Sequence, residues 1–194
     1  MSHIRDNVQD FVAPNTFVFA DDGLVPNNPL PFILYKSAIA VDNGYPEQTI
    51  ARVFGDNGWG RMWRNGIYDY LHYHAAVHEV LAVARGTANV RFGGDHGGLF
   101  ELRKGDVAIL PAGTGHQRLS ASSDFAAVGA YPPGPEMEIT RPTPESYRKA
   151  LGSIPKVALP ETDPIYGAYG PLVGLWTAKA MKMTVLNSGG RPQN

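Results

Sequence analysis

The sequence predicts an all-β fold, a sandwich or barrel of short strands. Glycine (22 residues) and proline (16 residues) are spread along all 194 positions and cut the chain into pieces too short for a helical bundle. Between Ile67 and Pro132, apolar runs bounded by glycine-rich turns follow one another closely, as in a sandwich or barrel. No internal repeat or low-complexity linker interrupts them. A chain of this length with 43% hydrophobic residues can close one substantial core, so residues 1–194 are read as one domain.

In order, NTFVF (15–19) and LPFILYKSAI (30–39) read as outer strands separated by the turn-rich DDGLVPNNP. In YPEQTIARVFG (45–55), Pro46 suits a first helical turn, Ile50, Val53 and Phe54 recur at helical spacing, and Gly55 stops the run, which predicts one short helix. The barrel strands follow: IYDYLHYH, EVLAVARG, ANVRFG, LFELRKG, DVAILP, HQRLSAS and DFAAVGAYP, with turns at GGDHGG, KGD and PAGTG. Gly86, Gly105 and Gly113 fall where turns call for positive φ. TPESYRKALG reads as a second helix with Thr143 as cap, Pro144 in the first turn and Gly152 at its end. LPETDPIYGAYGPLVGLW (159–176) is expected to be an extended tail that packs its aromatics on the barrel, and SGGRPQN to fray. The barrel thus takes about residues 15–132, the helix and packing tail 133–180, and the frayed end 181–194.

Composition removes several function classes. The 17 basic and 18 acidic residues leave a formal charge of -1 and no Lys/Arg run able to release counterions from a phosphate backbone, so no nucleic-acid partner is expected. With no cysteine, any metal must rest on nitrogen and oxygen ligands. No apolar run has signal-peptide length at the N-terminus, and none approaches the roughly 18 residues of a membrane span. A cytoplasmic protein without a membrane partner is the expectation.

The positions from His72 to Glu79 hold three histidines and a glutamate. On a strand, Tyr68, Tyr70, His72 and His74 share one face, where an H-x-H pair can converge on one ion. A lone H-x-H is more often solvated or hydrogen-bonded. Here, however, Gly66, His72, His74, Glu79 and Gly86 satisfy G-x5-H-x-H-x4-E-x6-G. Downstream, Gly105, Pro111, Gly113 and His116 satisfy G-x5-P-x-G-x2-H.

With these two motifs the chain resembles the cupin superfamily. It departs at Ser120, where the family often has Asn; that position is not a metal ligand, so the departure bears on substrate and not on metal. PNNPLP, NGW, GIYDYLHYH and DPIYGAYGPLVGLW are similar to the YjlB-like proteins, small bacterial single-domain cupins with no settled activity, which extends the resemblance over most of the chain. The resemblance implies a double-stranded β-helix (jelly-roll) barrel with a few short peripheral helices. It also implies a metal held by His72, His74, Glu79 and His116. Three imidazoles and a carboxylate suit one divalent transition metal (Fe, Mn, Ni, Cu or Zn) with open positions for substrate, water or dioxygen. Mg(II) and Ca(II) favour all-oxygen shells.

Arg118 shares strand parity with His116; its fork could hold a substrate carboxylate or close a salt bridge on the rim. Tyr68 and Tyr70 are candidates to hydrogen-bond a substrate, with core filling as the alternative. His78 reads as a neighbour of the ligand set or a solvated turn residue, His96 as a hairpin tip, and His3 as part of a flexible terminus. Trp59, Trp63 and Trp176 read as packing residues. The expected function is a metal-dependent enzyme of dioxygenase type acting on a small polar or anionic molecule. A redox-neutral isomerase or lyase and a non-catalytic binder of small molecules or metal stay open as alternatives. Barrels with exposed edges often pair, so a homodimer is expected.

Overall fold

Strand β4, Glu79–Arg85, shows how the barrel is built. Its first six residues are all buried, and they alternate between two cores. Val80, Ala82 and Ala84 belong to a cluster shared with the helices, while Leu81 and Val83 belong to one between two sheets. Glu79 has the parity of Leu81 and Val83, so the barrel interior is where a strand of this register sends it.

In this computed structural model, which describes residues 7–42 and 44–188 and side chains up to residue 183, two antiparallel sheets form the double-sheet jelly roll. His3 and the stretch 189–194 lie outside the described residues. The larger sheet runs β1 (Asn15–Phe17), β2 (Phe32–Tyr35), β7 (Val107–Leu110), β4, β9 (Ala126–Tyr131) and β3 (Gly60–Asn65). The smaller runs β6 (Gly98–Arg103), β5 (Thr87–Phe92) and β8 (His116–Ala121). Phe32, Leu34, Leu81, Val90, Phe92 and Leu102 fill the space between them. The outer face of the larger sheet packs on helix α1 (Pro46–Asp56) through Ile50, Val53 and Phe54. Helix α2 (Pro144–Ser153) opens with a reciprocal cap, the Thr143 hydroxyl accepting from Ser146 N and the Ser146 hydroxyl accepting from Thr143 N.

The structure departs from the sequence reading in three places. The tail expected to be extended is helical from Pro171: helix α3 covers Pro171–Ser188. Leu172 and Trp176, one turn apart, enter the core, and Trp176 Nε1 donates to the Pro31 carbonyl at 2.9 Å. Gly174 faces open space, so the helix carries it without a packing conflict. Asp163 fixes the approach to this helix: its buried carboxylate accepts from Tyr35 Oη at 2.7 Å and from Leu172 N at 3.2 Å. Second, β3 was not foreseen; GRMWRN has too many polar residues to read as a strand, yet it closes the larger sheet against β9. Third, IYDYLHYH forms no continuous strand. Only isolated bridges survive, His72 to His116 and Tyr73 to Thr140, because consecutive residues pair with different segments. No helix among the described residues is long and apolar enough to cross a membrane.

Candidate metal centre

The bridge at His72 joins the site. His72 N donates to the His116 carbonyl at 3.2 Å and His116 N to that of His72 at 2.9 Å, while Arg118 N donates to the Tyr68 carbonyl. Residues 67–72 therefore run beside β8, tied to it at Ile67, Tyr68, Asp69 and His72. Strand alternation survives the break: Tyr73 is buried against Val25, Ala150 and Ile154, and its neighbours His72 and His74 point the other way. His116, the first residue of β8, faces them, and Glu79, the first residue of β4, arrives from the larger sheet.

Each imidazole is turned by a backbone carbonyl. The Nδ1 atoms of His72, His74 and His116 lie 3.0, 2.8 and 3.1 Å from the carbonyl oxygens of Tyr70, Glu138 and Thr114. A carbonyl only accepts, so Nδ1 carries the proton and Nε2 presents its lone pair. One ligand nitrogen from each ring falls within 4.8 Å of the others, and all three residues are buried. Glu79 Oε1 accepts from Trp63 Nε1 at 3.2 Å and from Tyr131 Oη at 3.0 Å. Its Oε2 lies 3.4 Å from Nε2 of both His74 and His116, an ion-pair distance, and is buried with no hydrogen-bond partner.

The charges follow from this crowding. Burial alone would raise Glu79, but the charge of His74, followed by that of His116 and the Tyr131 hydrogen bond, holds its carboxyl down to about 2. Burial and the neighbouring His72 push His116 down to about 3, and burial lowers His72. His74 is raised, because the Glu79 carboxylate outweighs its burial. His72 and His116 thus lean neutral, while His74 shares its charge with the ionised Glu79. A buried carboxylate oxygen without a donor, facing lone pairs already oriented by the backbone, fits a divalent cation better than any rearrangement of hydrogen bonds.

The four side chains line a cavity of about 130 Å³, together with Trp63, Ile67, Tyr68, Leu81, Tyr131, Met137 and Ile139 among others. A larger groove of about 580 Å³, beside Arg85 and Lys104, lies apart from the histidines and is open to solvent.

The other candidates separate. Tyr68 lines the cavity and is 45% exposed. Tyr70 does not line it; it stacks on Tyr68 with ring centroids 4.8 Å apart and carries the Arg141 guanidinium 4.0 Å from its ring. Arg118 is also absent from the lining, because its Nε donates to the Ile67 carbonyl at 2.8 Å. His78 is neither solvated nor part of the centre. It is buried, accepts from Ala112 N through Nδ1 at 2.9 Å and packs on Trp176. Sequence reasoning missed Trp63 and Tyr131 as the groups that hold Glu79. Tyr131 has the parity of Gly129 on β9, a signal that becomes readable only once the β3 partner is known.

No protein-family model matches the chain. The uncharacterised protein YjlB of Bacillus subtilis (strain 168) is 38% identical over 162 residues, which cover 83% of this chain and 95% of that protein. Among solved structures, acireductone dioxygenase from Bacillus anthracis, with a cadmium ion in its active centre, is similar at 19% identity and a TM-score of 0.33, over 43% of this chain and 57% of that one. Streptomyces albus HEPD, with 2-hydroxyethylphosphonate and Fe(II) bound, is similar at 14% identity and a TM-score of 0.33, over 73% of this chain and 27% of that one. The likeness to YjlB runs along most of both chains, and the protein belongs to the YjlB family.

Proposed function

We propose that this protein is a metal-dependent small-molecule enzyme of dioxygenase type, in which His72, His74, Glu79 and His116 hold one divalent transition metal. The observation that carries the reading is the unpartnered Glu79 Oε2 in a buried cavity where three backbone-oriented imidazoles meet. Bound there, a redox-active ion supplies Lewis acidity and electron transfer towards dioxygen and substrate. The chain's own residues do the positioning. The carbonyls of Tyr70, Glu138 and Thr114 fix each ring's tautomer, Trp63 and Tyr131 hold Glu79, and the apolar walls limit water.

The preference for oxygen chemistry over isomerisation or elimination rests on the lining. Moving a proton on a substrate calls for a general acid or base within reach. Apart from the four ligands, the titratable groups among the described lining residues are Tyr68 and Tyr131. The Tyr131 hydroxyl is already donated to Glu79, and burial together with the Glu79 charge pushes its ionisation far up, which leaves Tyr68 without a second lining group to complete an acid–base pair. Anaerobic loading with Fe(II), followed by oxygen-electrode assays across a panel of small thiols, diols and oxo acids, tests the reading. Substrate-dependent oxygen uptake that Zn(II) does not support is expected. No uptake with any member, or equal turnover with Zn(II), contradicts it.

A further inference from the structure

We propose that the site selects a ligand with one negative charge, placed at its metal-binding end, and an apolar tail, and that it rejects ligands with a second charge in the tail. The inference rests on the metal reading above and narrows its substrate class. Its basis is the lining of the cavity. An anionic head group would be met by the ion that the three imidazoles and the unpartnered Glu79 Oε2 would hold. Beyond the head group, the walls are mainly the apolar side chains of Trp63, Ile67, Leu81, Met137 and Ile139, with Asn65, Tyr68 and Tyr131 as the polar members, and no lysine or arginine is among the described lining residues.

The arginines around the site are engaged elsewhere. Arg61 donates to the carbonyls of Pro132 and Pro135 and lies over the Tyr131 ring. Arg118 donates to Ile67, and Arg141 sits on Tyr70, which itself stays outside the lining. A carboxylate in the tail would lose its water against apolar side chains and gain no counter-charge, which is the costly way to bury an ion. Size acts in the same direction. At about 130 Å³ the whole cavity is close to the roughly 150 Å³ cavity that holds one benzene molecule, so beside the ion and head group it leaves room for a short tail only.

The experiment uses the full chain loaded with Co(II), its metal content measured first, and two hydroxamates of matched shape. One is isovalerohydroxamate, with an isopropyl tail; the other is malonic monohydroxamate, in which a carboxylate replaces the isopropyl group. Changes in the Co(II) visible spectrum report binding. The apolar ligand is expected to bind at least about tenfold more tightly. Ile139 is 39% exposed, so Ile139→Arg adds a cation at the cavity without disturbing the core, and it should cut that preference to about threefold or less. Equal or tighter binding of the dianion by the loaded wild-type chain overturns this inference alone. So does a preference that Ile139→Arg leaves unchanged, because the missing cation would then not be its cause. A chain that takes up no Co(II) overturns the metal reading, and this inference with it.

Discussion

Replacing Gly129 by alanine would put a methyl carbon 2.1 Å from Cε2 and 2.2 Å from Nε1 of Trp63, where ordinary contact is about 3.5–4 Å. Gly129 and Trp63 are register partners on β9 and β3, and β9 is also tied to β4, so the backbones are held and the indole is the part that must move. A shift of more than about 1 Å is required to restore normal contact. The Trp63 bond to Glu79 Oε1 starts at 3.2 Å and does not survive such a shift. Overpacking of this kind costs about 1–3 kcal/mol, and losing a bond to a buried charged acceptor costs about 1.5–3 kcal/mol. At about 2–4 °C per kcal/mol for a domain of this size, Gly129→Ala should lower the Tm of the metal-free protein by at least about 5 °C. Thermal and urea melts of Gly129→Ala, Trp63→Leu and the double variant measure the coupling. With the indole gone the added methyl meets little, so its cost should fall below about 1 kcal/mol in the Trp63→Leu background. If the two single costs add within about 0.5 kcal/mol, the packing of Trp63 on Gly129 is not what positions Glu79.

The histidines of the proposed metal centre should behave unequally. His72→Gln is expected to abolish tight metal binding with little change in the metal-free protein, whereas His74→Gln should also destabilise the metal-free fold, because His74 is the raised, charge-sharing partner of Glu79. Equal urea midpoints for the two metal-free variants would refute the distinction. Acid should weaken the metal-free protein. Burial keeps His116 neutral down to about 3 and lowers His72, so the unfolded chain binds more protons once the pH falls below 6.5, and stability drops by up to about 1.4 kcal/mol per pH unit for each such ring. Glu79, held to about 2 mainly by His74 against its burial, adds a loss between pH 4.5 and about 2. His74 opposes the trend, since its contribution is complete below 6.5 and fades above its raised value. Urea denaturation at pH 7, 6 and 5 should give falling stability, and a flat or rising profile towards acid would contradict these assignments.

How far the site could be read in advance differs from residue to residue for physical reasons. His72, His74, Glu79 and His116 stand at fixed spacings within two local motifs, and the turns behind those spacings are local: Gly105 and Gly113 have φ of 84° and 89°, as their turns demand. Local chemistry is legible in sequence. The support of Glu79 is not local, for Trp63 lies 16 residues and Tyr131 52 residues away, brought together only by the β3–β9–β4 order. Arg118 shows the opposite failure. Its parity with His116 is correct, but the neighbouring Ile67 carbonyl captures its Nε. The alternation that placed His72 and His74 on one face held even though residues 67–74 form no continuous strand, because His72 and Tyr73 still make antiparallel bridges on opposite sides. In α3, Leu172 and Trp176 already sat one turn apart, and the surrounding glycines obscured that period.

Metal analysis of protein expressed without added chelator and purified under mild conditions addresses the centre directly. With three oriented imidazoles and an unpartnered Glu79 oxygen, about one transition-metal ion per chain is predicted, and it should be lost in His72→Gln. A wild-type content near zero, unchanged after reconstitution with Fe(II), Mn(II), Ni(II), Cu(II) and Zn(II) in turn, would contradict the account.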